Sequence, residues 1–122
     1  MQGFNTLLGL TIVGPSEGRF IVELDADERH MHDLGQVHGG VYLALADTVM
    51  ARAARARIDA DEYVQTVDLR TSFLRPCSGG RIIASAAIIQ CGRRFVFAEA
   101  TLESDTGKIL ATSSASIVRS RF

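Results

Sequence analysis

The chain reads as an α+β domain, an antiparallel sheet of about six strands laid over one long helix. Three observations predict it. Only one segment, Gly40 to about Arg57, has the length and composition of a long helix. Two strand-like runs precede it and four follow. Turn-forming residues separate most of these runs. With 122 residues, 47% of them hydrophobic and 22% charged, the chain has the size and balance of a single globular domain covering residues 1–122.

Leu7 to Val13 and Phe20 to Leu24 are expected as two strands, joined through Gly14-Pro15-Ser16-Glu17-Gly18. In the second, Phe20, Val22 and Leu24 point one way and Ile21, Glu23 and Asp25 the other. Asp27 to Gly35 is polar and irregular, with room for one short helical turn. The long helix is rich in Leu, Ala, Met and Arg and has no internal proline. Apolar residues wrap most of its first three turns, which predicts burial on nearly every side. Arg52, Arg55 and Arg57 crowd its C-terminal end, where positive charge suits the dipole. Val64 to Leu74 alternates, with Val67, Leu69 and Phe73 on one face and Thr66, Asp68, Arg70 and Ser72 on the other. Arg81 to Gln90 is apolar on both faces, as in a central strand covered twice. Phe95 to Leu102 follows the Cys91-Gly92 turn, and Ser104-Asp105-Thr106-Gly107 leads into a last strand from Lys108 to Val118. One helix cannot cover six strands, so a homodimer or homotetramer is expected.

Charge and composition exclude several function classes. A net charge of −1 supplies no basic field for nucleic acid. Cys77 and Cys91 match no metal or redox spacing and read as reduced thiols of a cytoplasmic protein. The first fourteen residues lack the Lys or Arg that starts a signal peptide. The longest unbroken apolar run, Val41 to Ala46, is too short to cross a bilayer, so no membrane partner is expected. His30, His32 and His38 with Asp33 and Asp47 fit no zinc spacing, so no metal is expected.

The chemistry concentrates in Val37-His38-Gly39-Gly40 and the helix it opens. A helix start offers free N–H groups and a positive dipole end, a place for an oxygen that gains negative charge. Glycines there let a carbonyl approach the backbone closely. Nine residues after His38 stands Asp47, with Leu43, Ala44, Met50 and Ala51 one turn to either side. A carboxylate among such neighbours is paired or functional, and can act as a base or nucleophile. Along one helix His38 and Asp47 lie about 13 Å apart. If both serve one substrate, they must come from different chains, as two antiparallel helices about a two-fold axis would arrange.

The segments Val37-His38-Gly39-Gly40, Leu45-Ala46-Asp47-Thr48, Thr66-Val67-Asp68-Leu69 and Phe73-Leu74-Arg75-Pro76 make the chain resemble the hotdog-fold thioesterases, in particular the PaaI-like (phenylacetate-degradation) group. The resemblance runs over nearly the whole chain. It implies a hotdog fold, in which the sheet wraps one central helix, and hydrolysis of an acyl-CoA at a dimer interface. No cofactor is implied, coenzyme A being part of the substrate. Carried over, Asp47 is nucleophile or general base, the Gly40 N–H polarises the thioester carbonyl, and His38 orients the carbonyl or the leaving thiolate. Thr66 takes the place of a Ser or Thr that helps hold the attacking water. His32 stands where the group often has Asn or Gln, and still offers a hydrogen bond. Gly39 flanks the carbonyl site, and Arg75, Arg93 and Arg94 are candidates for the CoA phosphates. Aryl and medium-chain acyl groups both fit this reading. The competing reading is a non-catalytic acyl-CoA-binding hotdog protein, a sensor or scaffold, which has no need of a buried carboxylate. A dehydratase or hydratase on the same fold is a third.

Overall fold

The computed structural model describes residues 3–122. Its elements, in order, are α1 (Phe4–Leu8), β1 (Thr11–Ser16), β2 (Arg19–Ala26), a 3-10 turn (Glu28–His30), α2 (Gly39–Arg55), β3 (Glu62–Phe73), β4 (Gly80–Cys91), β5 (Phe95–Ser104) and β6 (Ile109–Arg121). The strands form one sheet in the order β1-β2-β4-β5-β6-β3, and every neighbouring pair is antiparallel. The sheet curls over α2, which meets every strand from β2 to β6. Leu45, Val49 and Met50 of α2 are fully buried against Leu24, Ile82, Leu102 and Ile117 of the sheet. The expected α+β layout is the one observed. No helix among the described residues is long and apolar enough to cross a membrane.

Several local readings need correction. Leu7 and Leu8 are helical rather than strand, because Gly9 adopts a left-handed φ of 80° and its N–H closes the turn on Asn5 and Thr6. The first strand therefore starts at Thr11 and runs through Pro15 and Ser16 to a two-residue turn at Glu17-Gly18, both with positive φ. Pro15 is tolerated there because β1 is an edge strand. The long helix begins one residue early, at Gly39, and ends at Arg55.

The burial of that helix is also one-sided within a single chain. Gly40, Leu43, Ala44, Asp47 and Ala51 form a stripe at helical spacing that the sheet leaves uncovered or half covered, with Leu43 36% exposed. Likewise β4 is covered once. Ile82, Ala84 and Ala86 are buried under α2, whereas Ile83 and Ala87 are half-buried on the opposite face and Ile89 is 61% exposed.

A further correction lies in β3. Its register against β6 slips between Thr66 and Asp68: Thr66 pairs with Ile117 and Asp68 with Ser116, so Val67 is an extra, bulged residue. The alternation therefore inverts at that point. Thr66 and Leu69 share the face opposite the buried Ile117 and Ala115, toward the helix, while Val67 is 59% exposed.

Candidate active site

The loop before α2 is tied down at every step. Asp27 caps the 3-10 turn by accepting from the Arg29 N–H, and its own N–H donates to Nδ1 of the buried His30. The His30 Nε2–H donates to the Leu8 carbonyl at 2.7 Å, which makes this histidine a structural one. The Val37 N–H donates to the Cys77 carbonyl and the His38 N–H to the His30 carbonyl. His38 then caps α2: its Nδ1 accepts from the Gly40 N–H at 2.8 Å. An imidazole whose Nδ1 accepts carries its proton on Nε2, so neutral His38 presents a donor outward. His32 is arranged the same way, its Nδ1 accepting from the Leu34 N–H. The Gly40 N–H is thus occupied by His38, while the Gly39 N–H begins the helix with no acceptor inside it.

Close neighbours account for both glycines. A Cβ on Gly39 would come within 3.2 Å of the Phe73 ring, and one on Gly40 within 3.0 Å of His38 Nδ1. Phe73 stacks on Tyr42 with centroids 5.9 Å apart, and the Tyr42 hydroxyl donates to the Arg75 carbonyl. Burial, helped by the neighbouring Cys77 thiol, pushes the Tyr42 phenol up to about 12. A cavity of about 350 Å³ opens here, its walls including His32, Gly39, Tyr42, Phe73, Leu74 and Arg75.

Asp47 lies two turns further along α2. The bulge in β3 turns Thr66 toward it, and the Thr66 hydroxyl donates to Asp47 Oδ1 at 2.6 Å. This leaves Oδ2 for chemistry. Asp47 opens into a second cavity of about 350 Å³, shared with Phe4, Asn5, Thr48, Arg52 and Arg55. Thr48 donates to Asn5 Oδ1 across it. One chain thus joins Asp47 to Thr66, and His32 to Gly39 and Arg75, but the two groups occupy separate cavities.

The other two candidate arginines lie elsewhere. Arg93 and Arg94 follow Cys91, whose thiol lies 4.0 Å from the carbonyl of Arg57 beyond the far end of α2. Arg94 stands over the Phe95 ring, and Arg93 lines a cavity with Glu62 and Arg119. There Arg119 grips Glu62 through two nitrogens; this contact, with the Asp59 N–H, holds the Glu62 carboxyl down to about 2. Asn5, Tyr42, Arg52 and Arg55 enter the cavities without having been picked out as site residues. Asn5 carried no signal, since it precedes the first element expected from the sequence, which starts at Leu7. Arg55 did, standing eight residues after Asp47 and so on the same helical face.

Residues 34–111, which hold the helix start, Asp47 and Thr66, match the Thioesterase superfamily. The chain belongs to that family. It is 28% identical over 116 residues to a 1,4-dihydroxy-2-naphthoyl-CoA hydrolase of Listeria monocytogenes, covering 95% of this chain and 94% of that one. Among solved structures, a thioesterase from Haemophilus influenzae superposes with a TM-score of 0.92 at 26% identity, over 96% of this chain and 82% of that one. A phenylacetic-acid-degradation-related protein from Ralstonia eutropha gives 0.86 at 28% identity, over 93% and 87%. The fold is accordingly the hotdog fold of the thioesterases, and the chain is a thioester hydrolase of the PaaI-like kind.

Proposed function

We propose that the chain hydrolyses acyl-CoA thioesters at a site completed by a second copy of itself, with Asp47 as general base. The observation that carries this is the Asp47–Thr66 pair on a helix face that its own sheet leaves open. That stripe borders β3, a 12-residue edge strand paired on one side only. Unpaired edges and open apolar stripes are what a two-fold partner covers. Antiparallel packing of two α2 helices along Gly40, Leu43, Ala44 and Asp47 brings the helix start of one copy opposite Asp47 of the other, removing the 13 Å separation (about nine residues of rise).

In this reading the thioester carbonyl enters the first turn of α2, beside Gly39 and against the positive helix end. It takes the Gly40 N–H from His38. The exchanged bond strengthens as the oxygen gains charge, whereas the imidazole bond does not, so the first turn favours the transition state over the ground state. Asp47 Oδ2 removes a proton from water, and the resulting hydroxide oxygen bonds to the carbonyl carbon. Collapse of the tetrahedral intermediate breaks the C–S bond, and the thiolate leaves with the proton Asp47 had taken, steadied by the displaced His38 Nε2–H. Thr66 holds the carboxylate throughout, and His32 donates at the rim of the carbonyl site. Arg75 lines the cavity at the helix start, which supports giving it, of the three surface arginines, the role of meeting a CoA phosphate.

A panel of acyl-CoA substrates with free-thiol detection tests the proposal. Asp47→Asn preserves shape but removes the base, so turnover falls roughly 10²-fold or more with the fold intact. Near-normal turnover in that folded variant removes Asp47 from the mechanism.

A further inference from the structure

The cavity beside Asp47 has a polar composition that thioester hydrolysis does not require. Arg52 and Arg55 line it, and no carboxylate among the described residues forms an ion pair with either. Asn5 accepts from Thr48 through Oδ1, which leaves its NH2 group as a further donor on the same wall. Among the described residues, the only anion lining the cavity is Asp47, whose Oδ1 is already taken by Thr66. The rest of the lining is Phe4, Ala44 and Ala51, all apolar, and Ala51 lies between Asp47 and the two arginines along the helix. A space with the reacting group at one end, a short apolar stretch, and unneutralised guanidinium groups at the other suits a ligand of the same pattern.

Resting on the thioesterase reading above, we propose that this cavity holds the acyl group and selects acyl chains that end in a carboxylate, with Arg52 and Arg55 as its specificity-determining residues. Arg52 and Arg55 lie five and eight residues beyond Asp47, about 7 and 12 Å along the helix axis. The terminal carboxylate of a chain of roughly five or six carbons lies about 5–6 Å beyond the thioester carbon, at about 1.3 Å per bond, within reach of side chains as long as arginine. The phosphates of CoA are the other anions a substrate brings. The nearest is roughly thirteen bonds from the sulfur, about 16 Å when extended, and leaves the carbonyl in the opposite direction from the acyl chain. Bidentate guanidinium–carboxylate pairing in a partly enclosed cavity supplies the discrimination.

The test compares adipyl-CoA with hexanoyl-CoA, equal in carbon count and differing in the terminal carboxylate. The wild-type protein is expected to favour adipyl-CoA in kcat/KM by about tenfold or more. Arg52→Gln and Arg55→Gln each erase most of that preference through loss on adipyl-CoA, with hexanoyl-CoA changing less than about threefold. A wild-type protein that prefers hexanoyl-CoA, or variants that lose both substrates equally, overturns the assignment. S-hexanoyl-pantetheine, which lacks the nucleotide phosphates, identifies the second case: if the variants impair hexanoyl-CoA but not this thioester, the arginines hold a phosphate. Absence of thiol release from every acyl-CoA refutes the thioesterase reading itself. Calorimetric binding of adipyl-CoA and hexanoyl-CoA to the Asp47→Asn protein still decides the carboxylate question: tighter adipyl-CoA binding supports it and equal binding refutes it.

Discussion

Removing one hydroxyl, with Thr66→Val, isolates the positioning of Asp47. Valine matches threonine in shape and favours strands, so β3 keeps its bulge and its pairing with Ile117. What disappears is the 2.6 Å bond to Asp47 Oδ1. A hydrogen bond to a charged acceptor is worth about 1.5–3 kcal/mol. If that energy serves to hold Oδ2 toward the water, its loss lowers kcat by roughly 10- to 100-fold, at about 1.4 kcal/mol per factor of ten. KM should change little, because Thr66 meets the base and not the substrate. Thr66→Ser keeps the hydroxyl and should return to within about threefold of wild type. Steady-state kinetics with thiol detection, alongside thermal melts of all three proteins, separates this from a packing defect. Equal activity in Thr66→Val and wild type, or an equal fall in the valine and serine variants, refutes the positioning role.

Three further outcomes follow from the same geometry. Mixed dimers of an inactive Asp47→Asn chain and an inactive Gly40→Val chain should regain part of the wild-type activity, because one of two shared sites is intact; the valine Cβ displaces the His38 cap and obstructs the carbonyl. Zero recovery in demonstrated hybrids rules out sharing. Light scattering at micromolar protein should give at least twice the 13.2 kDa chain mass, and an active monomer would contradict the two-chain site. Glu62 titrates at about 2 in the folded chain against an ordinary value of 4.5, so its contribution to stability is full above about pH 4.5 and fades as pH falls toward 2. The melting temperatures of wild type and Glu62→Gln should therefore differ most near neutrality and converge toward pH 2; a constant gap across that range would show that the Arg119 clamp does not set it.

Elements with a strong local signature were legible in the sequence. The long helix announced itself through composition, and its start through glycines that only a crowded first turn requires. The hairpin at Gly107 was readable because its φ of 81° favours glycine. Features set by tertiary neighbours were not. The turn at Gly9 hid inside an apolar run that reads equally well as strand. The open stripe on α2 is as apolar as a buried one, and its exposure depends on how far the sheet reaches round the helix. Arg52 and Arg55 had a sufficient explanation in the helix dipole, and only the fold shows Asn5 and Phe4 arriving beside them.

The bulge at Val67 shows why strict alternation misleads at a functional site. With an unbroken period of two, β3 must choose between packing Leu69 on the core and turning Thr66 to Asp47, because the two residues differ in parity. An inserted residue removes the conflict. Thr66 and Leu69 both face the helix, Phe73 continues on that side to stack on Tyr42, and Val67 is displaced outward. The cost is an exposed valine and a gap in the ladder, which an edge strand tolerates better than a central one. The same single residue thus aligns the hydroxyl that orients Asp47 and the aromatic ring that walls the helix start, so the two half-sites of one chain depend on one backbone irregularity. Deleting Val67 would leave Thr66 and Leu69 two residues apart, on one face of an unbroken strand, so it is the bulge at the native chain length, and not the valine side chain, that reconciles the two.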